Sequence, residues 1–250
     1  MTDDRIWSPL RQELDRWQAA NRVARLWLRD DDATEPTEAL DRLLALAGRA
    51  AIPVTLAVIP APTGAALAER LADESHVLVA PHGWSHTNHA GPDEKKQELG
   101  NHRPAAAVLG ELGEGLDKLR RRYEDKFVSM LVPPWNRISR PLIPQLPALG
   151  FESLSVYGRV KPGGPMPLLN THVDIMNWHG ARGGLPHADL VAALVAELRD
   201  RFDGNAEPIG ILTHHLVHDG IAWDFLERLA HETAGHPAVQ WKTSRELLAA

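Results

Sequence analysis

The chain has 250 residues, 44% hydrophobic and 24% charged, which is enough for one sizeable core and short of what two ordinary domains need, so a single domain over 1–250 is expected. With 27 Lys and Arg against 33 Asp and Glu, a formal charge of -6, there is no overall positive field to hold a nucleic-acid backbone or an anionic membrane, and neither is expected as a partner. Cysteine is absent, which excludes disulfides, thiolate metal sites and a cysteine nucleophile, so any metal must sit on His, Asp or Glu.

The N-terminal MTDDRIWSPLRQELDRW intersperses charges where a secretory signal would be apolar, which predicts a cytoplasmic protein. Ser8-Pro9 reads as a cap followed by proline at the first helical position, and Leu10, Leu14 and Trp17 recur at helical spacing, predicting a helix at about 8–20. Residues 23–28 read as a buried strand. Leu40, Leu43, Leu44 and Ala47 mark one helix face ending near Gly48, followed by a strand at 54–59, a helix around Leu67 and Leu71, and a strand at 77–80. Further strands are expected at 127–132, 154–156, 173–176, 209–213 and 239–241, separated by Ala/Leu-rich helices and by a proline-rich stretch, 133–167, that reads as surface loops and includes KPGGPMP. The most apolar region, LLALAGRAAIPVTLAVIPAP, is broken by Arg49, Pro53 and Pro60 and is no membrane span. About seven or eight strands alternating with helices predict an α/β fold.

The polar clusters follow the strands. RDDDA comes after the first, PHGWSH after the third, PPWNR after the next and THH after the run 209–212. In parallel barrels and open sheets the loops at strand C-terminal ends converge on one rim, so the four clusters are expected to share a site. Asp30, Asp31 and Asp32 crowd three carboxyls at the end of an apolar strand, where a cation is the natural compensator, although such a cluster also serves as a solvated helix cap. His82 and His86, four residues apart, can reach one metal, and two His with one carboxylate form a recurrent hydrolytic zinc triad that leaves a position for water. With 13 His against 2 Tyr and 4 Phe, the composition points the same way. His89 reads as a support of the metal loop, a rim contact or a solvated residue. His214 and His215 end a strand with side chains in different directions, so either one faces the site as a general acid or both are structural, with His218 and Asp219 near enough to orient them.

With these residues assembled, the sequence resembles the polysaccharide deacetylases, carbohydrate esterase family 4, over about 25–215. His82-Gly83-Trp84-Ser85-His86 is similar to the family's H-[ST]-x-x-H metal motif except at Gly83. The family's T-F-D-D-G motif, which supplies a catalytic base and then a metal ligand, maps onto Arg29 to Ala33 in two registers. The preferred one makes Asp31 the base and Asp32 the ligand; the other makes them Asp30 and Asp31. Val132-Pro133-Pro134-Trp135-Asn136 resembles R-P-P-Y-G, so Pro134, Trp135 and Asn136 are expected to wall the substrate pocket, while Val132 replaces an Arg that tunes the base. Either Arg29 or Arg137 substitutes from a different position, or the base is regulated differently here. Asp174-Ile175-Met176-Asn177-Trp178 approximates the fourth motif with Asn177 in place of Asp, and Leu212-Thr213-His214 matches the last, which assigns the catalytic acid to His214.

The resemblance implies a distorted (β/α) barrel of about seven parallel strands and a divalent metal, Zn2+ first, held by Asp32, His82 and His86. It implies hydrolysis of an N-acetyl group on a sugar or glycoconjugate, with Asp31 taking the proton of water, His214 protonating the amine, and the amide following Pro-Pro-Trp helping to hold the oxyanion. The alternatives are a hydrolase of another C–N bond, cyclic or linear, and a non-catalytic sugar-binding protein on the same barrel. The composition carries no signal of oligomeric state.

Overall fold

The computed structural model describes residues 3–160, 163–179 and 183–250; Lys161 and Pro162 of the KPGGPMP run lie outside them. Its strands are β1 (Ala24–Ala33), β2 (Val54–Val58), β3 (Val77–Pro81), β4 (Met130–Leu131), β5 (Ser153–Leu154), β6 (Val173–Asp174), β7 (Ile209–Thr213) and β8 (Val239–Trp241). Its helices are α1 (Asp3–Ala19), α2 (Glu38–Arg49), α3 (Ala65–Leu71), α4 (Ala105–Tyr123), α5 (Leu146–Leu149), α6 (His187–Phe202), α7 (Gly220–Thr233) and α8 (Ser244–Leu248). None is long and apolar enough to cross a membrane among the described residues.

Every ladder is parallel, in the order β3-β2-β1-β7-β6 with β4 and β5 as a separate pair. Single bridges join the two groups: Val79 to Phe127 and His82 to Val132 on one side, Leu154 to Leu168 and Tyr157 to Thr171 on the other. The chain thus runs round a distorted ring from β1 to β7. Leu26 pairs with both Ile209 and Trp241, so β8 takes the β2 side of β1 along its first residues. The expected strand at 127–132 narrows to β4 because Met130 N–H turns back to Val128 O, 2.7 Å away, and interrupts the ladder.

Alternation along β1 divides its side chains between two layers. Leu26 and Leu28 join the main core with the covering helices, whereas Trp27 joins a second cluster with Ala57, Leu78, Ala80, Met130 and Val132 inside the ring, on which Leu247 and Leu248 of α8 pack. Gly210 is required there, since a Cβ would lie 2.5 Å from Asn170 O and 2.6 Å from Trp27 Nε1. The acidic run belongs to the last part of β1 itself, where it was expected to follow the strand. The first helix starts at Asp3, ahead of the expected Ser8, and contains Pro9. Pro9 offers no N–H to the Arg5 carbonyl, but continuing the helix buries Trp7 fully and stacks it on Phe225 at 5.3 Å, a larger gain than one backbone bond.

At the end of the ring away from the polar clusters, His172 gives the fold an acid-labile point. Its Nδ1 accepts the Gly210 N–H at 3.1 Å, which requires the neutral ring. Burial, then the charges of Arg201 and Arg159, push its pKa down to about 3 from 6.5. The Nε2 contact to Glu207 at 3.3 Å favours charge but leaves the Nδ1 bond intact only for neutral imidazole. The unfolded chain therefore binds the extra proton first, and stability falls as pH drops below 6.5, by up to about 1.4 kcal/mol per unit from this group. His172→Gln should flatten the fall in melting temperature between about pH 6.5 and pH 4; an unchanged slope would exclude His172 as its source.

Candidate active site

The three donors nominated for a metal meet at the C-terminal ends of β1 and β3. One ligand atom from each of Asp32, His82 and His86 lies within 4.8 Å of the others, the only such group among the described residues. Asp32 Oδ1 is 3.1 Å from His82 Nε2 and 3.3 Å from His86 Nε2. That oxygen is buried and has no hydrogen-bond partner, so the donor atoms converge on a common point without satisfying one another. His82 Nδ1 faces Val132 O at 3.0 Å, which makes Nδ1 the N–H and leaves the Nε2 lone pair turned to the cluster. An Nε2 and a carboxylate oxygen that face each other across the cluster are the donors a divalent cation takes, displacing any proton on Nε2, so the residues fit the metal.

Electrostatics report the same demand for positive charge. Burial raises the Asp32 carboxyl, but the close approach and charge of His82 and the charges of His214 and His86 hold it well below its usual range. Burial lowers His82, yet Asp31 and Asp32 carry it above the ordinary histidine value. His86 is lowered, by burial and then by His82.

Backbone strain is concentrated here. The β1–β2 register shifts between Asp30 and Ala33, and Asp32 adopts φ 77°. His86 (φ 58°), Trp135 (φ 55°) and Asn136 (φ 56°) share the left-handed region, so four of the seven described non-glycine residues with positive φ line this site. Such conformations cost about 1 kcal/mol or more each and persist where surrounding structure imposes them. The irregularity in β1 re-aims Asp32 away from simple alternation and towards the histidines.

Asp31 and Arg29 lie two apart on the inner face of β1 and are both buried. Arg29 Nη2 donates to Asp31 Oδ2 at 3.1 Å, while Nε approaches Oδ1 at 2.9 Å as an ionic contact too bent for a hydrogen bond. The same guanidinium donates to Ser155 Oγ and to Asn136 Oδ1, each at 2.7 Å. Of the two candidate substitutes for the Arg absent at Val132, Arg29 is the one that contacts Asp31. Arg137 turns its guanidinium outward to Lys96 O at 2.8 Å.

Asp30 is separated from this face by the pleat. Its Oδ2 accepts from Thr213 Oγ1 at 2.6 Å and His215 N–H at 2.9 Å, and its Oδ1 pairs with His215 Nδ1. Burial raises the Asp30 carboxyl, but the charge and hydrogen bond of His215 outweigh it and lower the pKa, while Asp30 raises His215 against its own burial. The pair ties the ends of β1 and β7 together on the helix side and places neither group beside Asp31.

His214 emerges on the other side. Trp178 stands edge-on to its ring at 4.6 Å, and Trp178 Nε1 donates to Asp174 Oδ2 at 2.8 Å. Burial raises the Asp174 carboxyl against the lowering charge of His214, which puts the two groups within electrostatic reach. His214 N–H donates to His218 Nε2 at 3.3 Å, and Asp219 caps α7 through Ala222 N–H at 2.9 Å, so only His218 orients the histidines directly. Asn177 takes no part in the site; its side chain accepts His179 N–H at 3.0 Å.

Trp135 lies 4.3 Å from the His86 ring, and Asn136 is held by Arg29, so the Pro-Pro-Trp-Asn turn walls one side of the cluster. The Asn136 N–H, expected to serve an oxyanion, is taken by Pro133 O at 2.9 Å because the turn is a 3-10 helix. Trp84 packs outward, where a Cβ on Gly115 would meet it at 3.3 Å. His89 forms no side-chain contact in the cluster; its backbone N–H bonds Gln97 O at 3.0 Å. The residue that sequence reading missed is Glu98, buried beside the metal loop from 13 and 14 positions away. Its signal is absent from a motif scan because EKKQELG reads as a solvated charge run.

No protein-family model and no curated protein matches the sequence. Solved structures do match over almost the whole chain. A polysaccharide deacetylase candidate from Mycobacterium smegmatis is 15% identical, with TM-score 0.65 and coverage of 91% of this chain and 90% of that one. A family 4 acetyl xylan esterase from Clostridium thermocellum in complex with a cobalt ion is 14% identical, TM-score 0.54, over 90% of each chain. The peptidoglycan deacetylase PdaC of Bacillus subtilis is 14% identical, TM-score 0.54, over 91% and 90%. The chain therefore shares the α/β fold of the family 4 carbohydrate esterases and polysaccharide deacetylases, with Asp32, His82 and His86 drawn together as a candidate metal centre.

Proposed function

We propose that the protein is a metal-dependent hydrolase that removes an N-acetyl group from a sugar or glycoconjugate. The observation that supports this most is the convergence of Asp32, His82 and His86 on one point, with the Arg29-clamped Asp31 next in the chain and His214 within reach of Asp32's charge. A divalent ion held there, with zinc the first choice for two imidazoles and a carboxylate, supplies Lewis acidity that activates water and polarises an acyl carbonyl. Asp31 accepts the proton of the attacking water. Arg29 holds that carboxylate in one orientation, since its two other donor contacts, to Ser155 and Asn136, prevent it from swinging away. His214 delivers a proton to the departing nitrogen, a need stronger for an amine than for an alcohol, and Trp178 with Asp174 keeps its ring in place. Trp135 and Pro134 wall the substrate and exclude water on the His86 side.

Acetate release tests the reading. Protein loaded with Zn2+ or Co2+ should release acetate from N-acetylglucosamine oligomers, and chelation should abolish it. Release only from O-acetylated xylan would make it an esterase, and release of ammonia or ring-opened product from cyclic amides would move it to another C–N bond. Sugar binding without any hydrolysis by metal-loaded protein would leave a binding protein.

A further inference from the structure

Between His82 and His86 the chain must turn so that two Nε2 atoms face Asp32, and Gly83 (φ 59°) and His86 (φ 58°) both adopt left-handed backbone to do so. The donors of that turn have definite destinations. Gly83 N–H goes to Val132 O at 3.0 Å. The next two go to one carboxylate: Trp84 N–H to Glu98 Oε2 at 3.1 Å and Ser85 N–H to Glu98 Oε1 at 2.7 Å. Ser85 Oγ adds a third bond to Oε1 at 2.9 Å.

Glu98 is 1% exposed, and no Lys or Arg among the described residues forms an ion pair with it. A buried carboxylate without a cation is costly and persists only where hydrogen bonds or a nearby positive centre compensate. Here successive backbone N–H groups form an anion-holding turn, and the chain fills it with its own carboxylate. Gly83 is what admits it: a Cβ there would lie 2.1 Å from Glu98 Oε2 and 2.6 Å from Pro134 Cδ. The glycine that breaks the H-[ST]-x-x-H pattern and the buried Glu98 are thus one device, a vacated side-chain volume occupied from a distant loop.

We propose that Glu98 is the positioning residue of the metal centre: it locks the turn that aims His82 and His86 and sets the affinity and geometry with which they hold a divalent ion. The inference rests on the proposed metal reading. Removing such support behind metal ligands typically weakens binding about 10- to 100-fold.

The test is a Co2+ titration of the full chain, following the visible absorption of bound cobalt, for wild type, Glu98→Gln and Ser85→Ala, with melting temperatures measured on the metal-free proteins. Glu98→Gln keeps the volume but presents an amide NH2 to donors, so a Co2+ affinity about 10- to 100-fold weaker and an altered cobalt spectrum are expected. Ser85→Ala, which removes one of three bonds and is readily folded, should shift affinity in the same direction by less. Wild-type affinity and spectrum in both variants would overturn the proposal, whatever their melting temperatures, because a purely structural glutamate lowers stability without changing the bound ion. Failure of wild type itself to bind Co2+ would overturn the metal reading and this inference together, whereas normal wild-type binding with unchanged variants overturns this inference alone.

Discussion

His82→Ala and His86→Ala are each expected to lose the bound metal and at least about a thousandfold in turnover, whereas His214→Ala keeps the metal and loses roughly 100- to 10,000-fold in kcat. The contrast follows from position. Both histidines supply donors to the cluster around Asp32, and removing either leaves two ligands, below the three that catalytic sites of this kind use. His214 belongs to a different strand end, braced by Trp178 and by the His218 contact to its backbone, so its loss removes a proton donor without disturbing a ligand. Elemental analysis of each variant beside acetate-release kinetics checks the pair. Retained turnover in His86→Ala would remove the metal from the mechanism, and loss of metal in His214→Ala would make that histidine part of the metal shell.

Arg29→Ala is expected to destabilise the fold by about 3–5 kcal/mol, because it leaves the Asp31 carboxylate buried with no counter-charge and strips a donor from both Ser155 and Asn136. For a chain of this size that corresponds to a drop of about 10 °C in melting temperature. Arg29→Lys restores the charge but cannot fork to three partners at once, so it should fall between the two. Adding Asp31→Asn to Arg29→Ala removes the uncompensated charge and should recover part of the loss, giving a clear coupling in the double-mutant cycle. Thermal unfolding of the four proteins decides it. Strictly additive losses would mean that the two side chains are neighbours without an energetic pairing.

Much of the fold can be read from the apolar runs. The eight strands among the described residues overlap the short, mostly hydrophobic stretches between turn signals, since strands buried on both faces, such as β2, β3 and β7, need such stretches. Boundaries were less legible. The helix start at Asp3 depends on Trp7 finding Phe225 more than 200 positions away, and β4 shrinks because of a local backbone turn that side-chain identity does not report. Among site residues, the pair His82 and His86 and the acidic run carried local spacing, which is a property of the sequence. Glu98 carried none, because its partners lie on another loop.

By itself, then, the sequence determined which chemistry is available: imidazole and carboxylate donors at strand ends, no thiol, no basic field, and an alternation that makes parallel strands the favoured packing. Which way each of three adjacent aspartates points, and what it meets, was decided only in three dimensions. The period of two puts Arg29 and Asp31 on the inner face and Asp30 on the helix side with His215, and the register shift with positive φ at Asp32 turns that one carboxylate to the histidines. A run of identical residues has no internal mark to distinguish its members. Their environments differ because pleat, register and long-range partners differ, and those exist only once the ring of strands has closed.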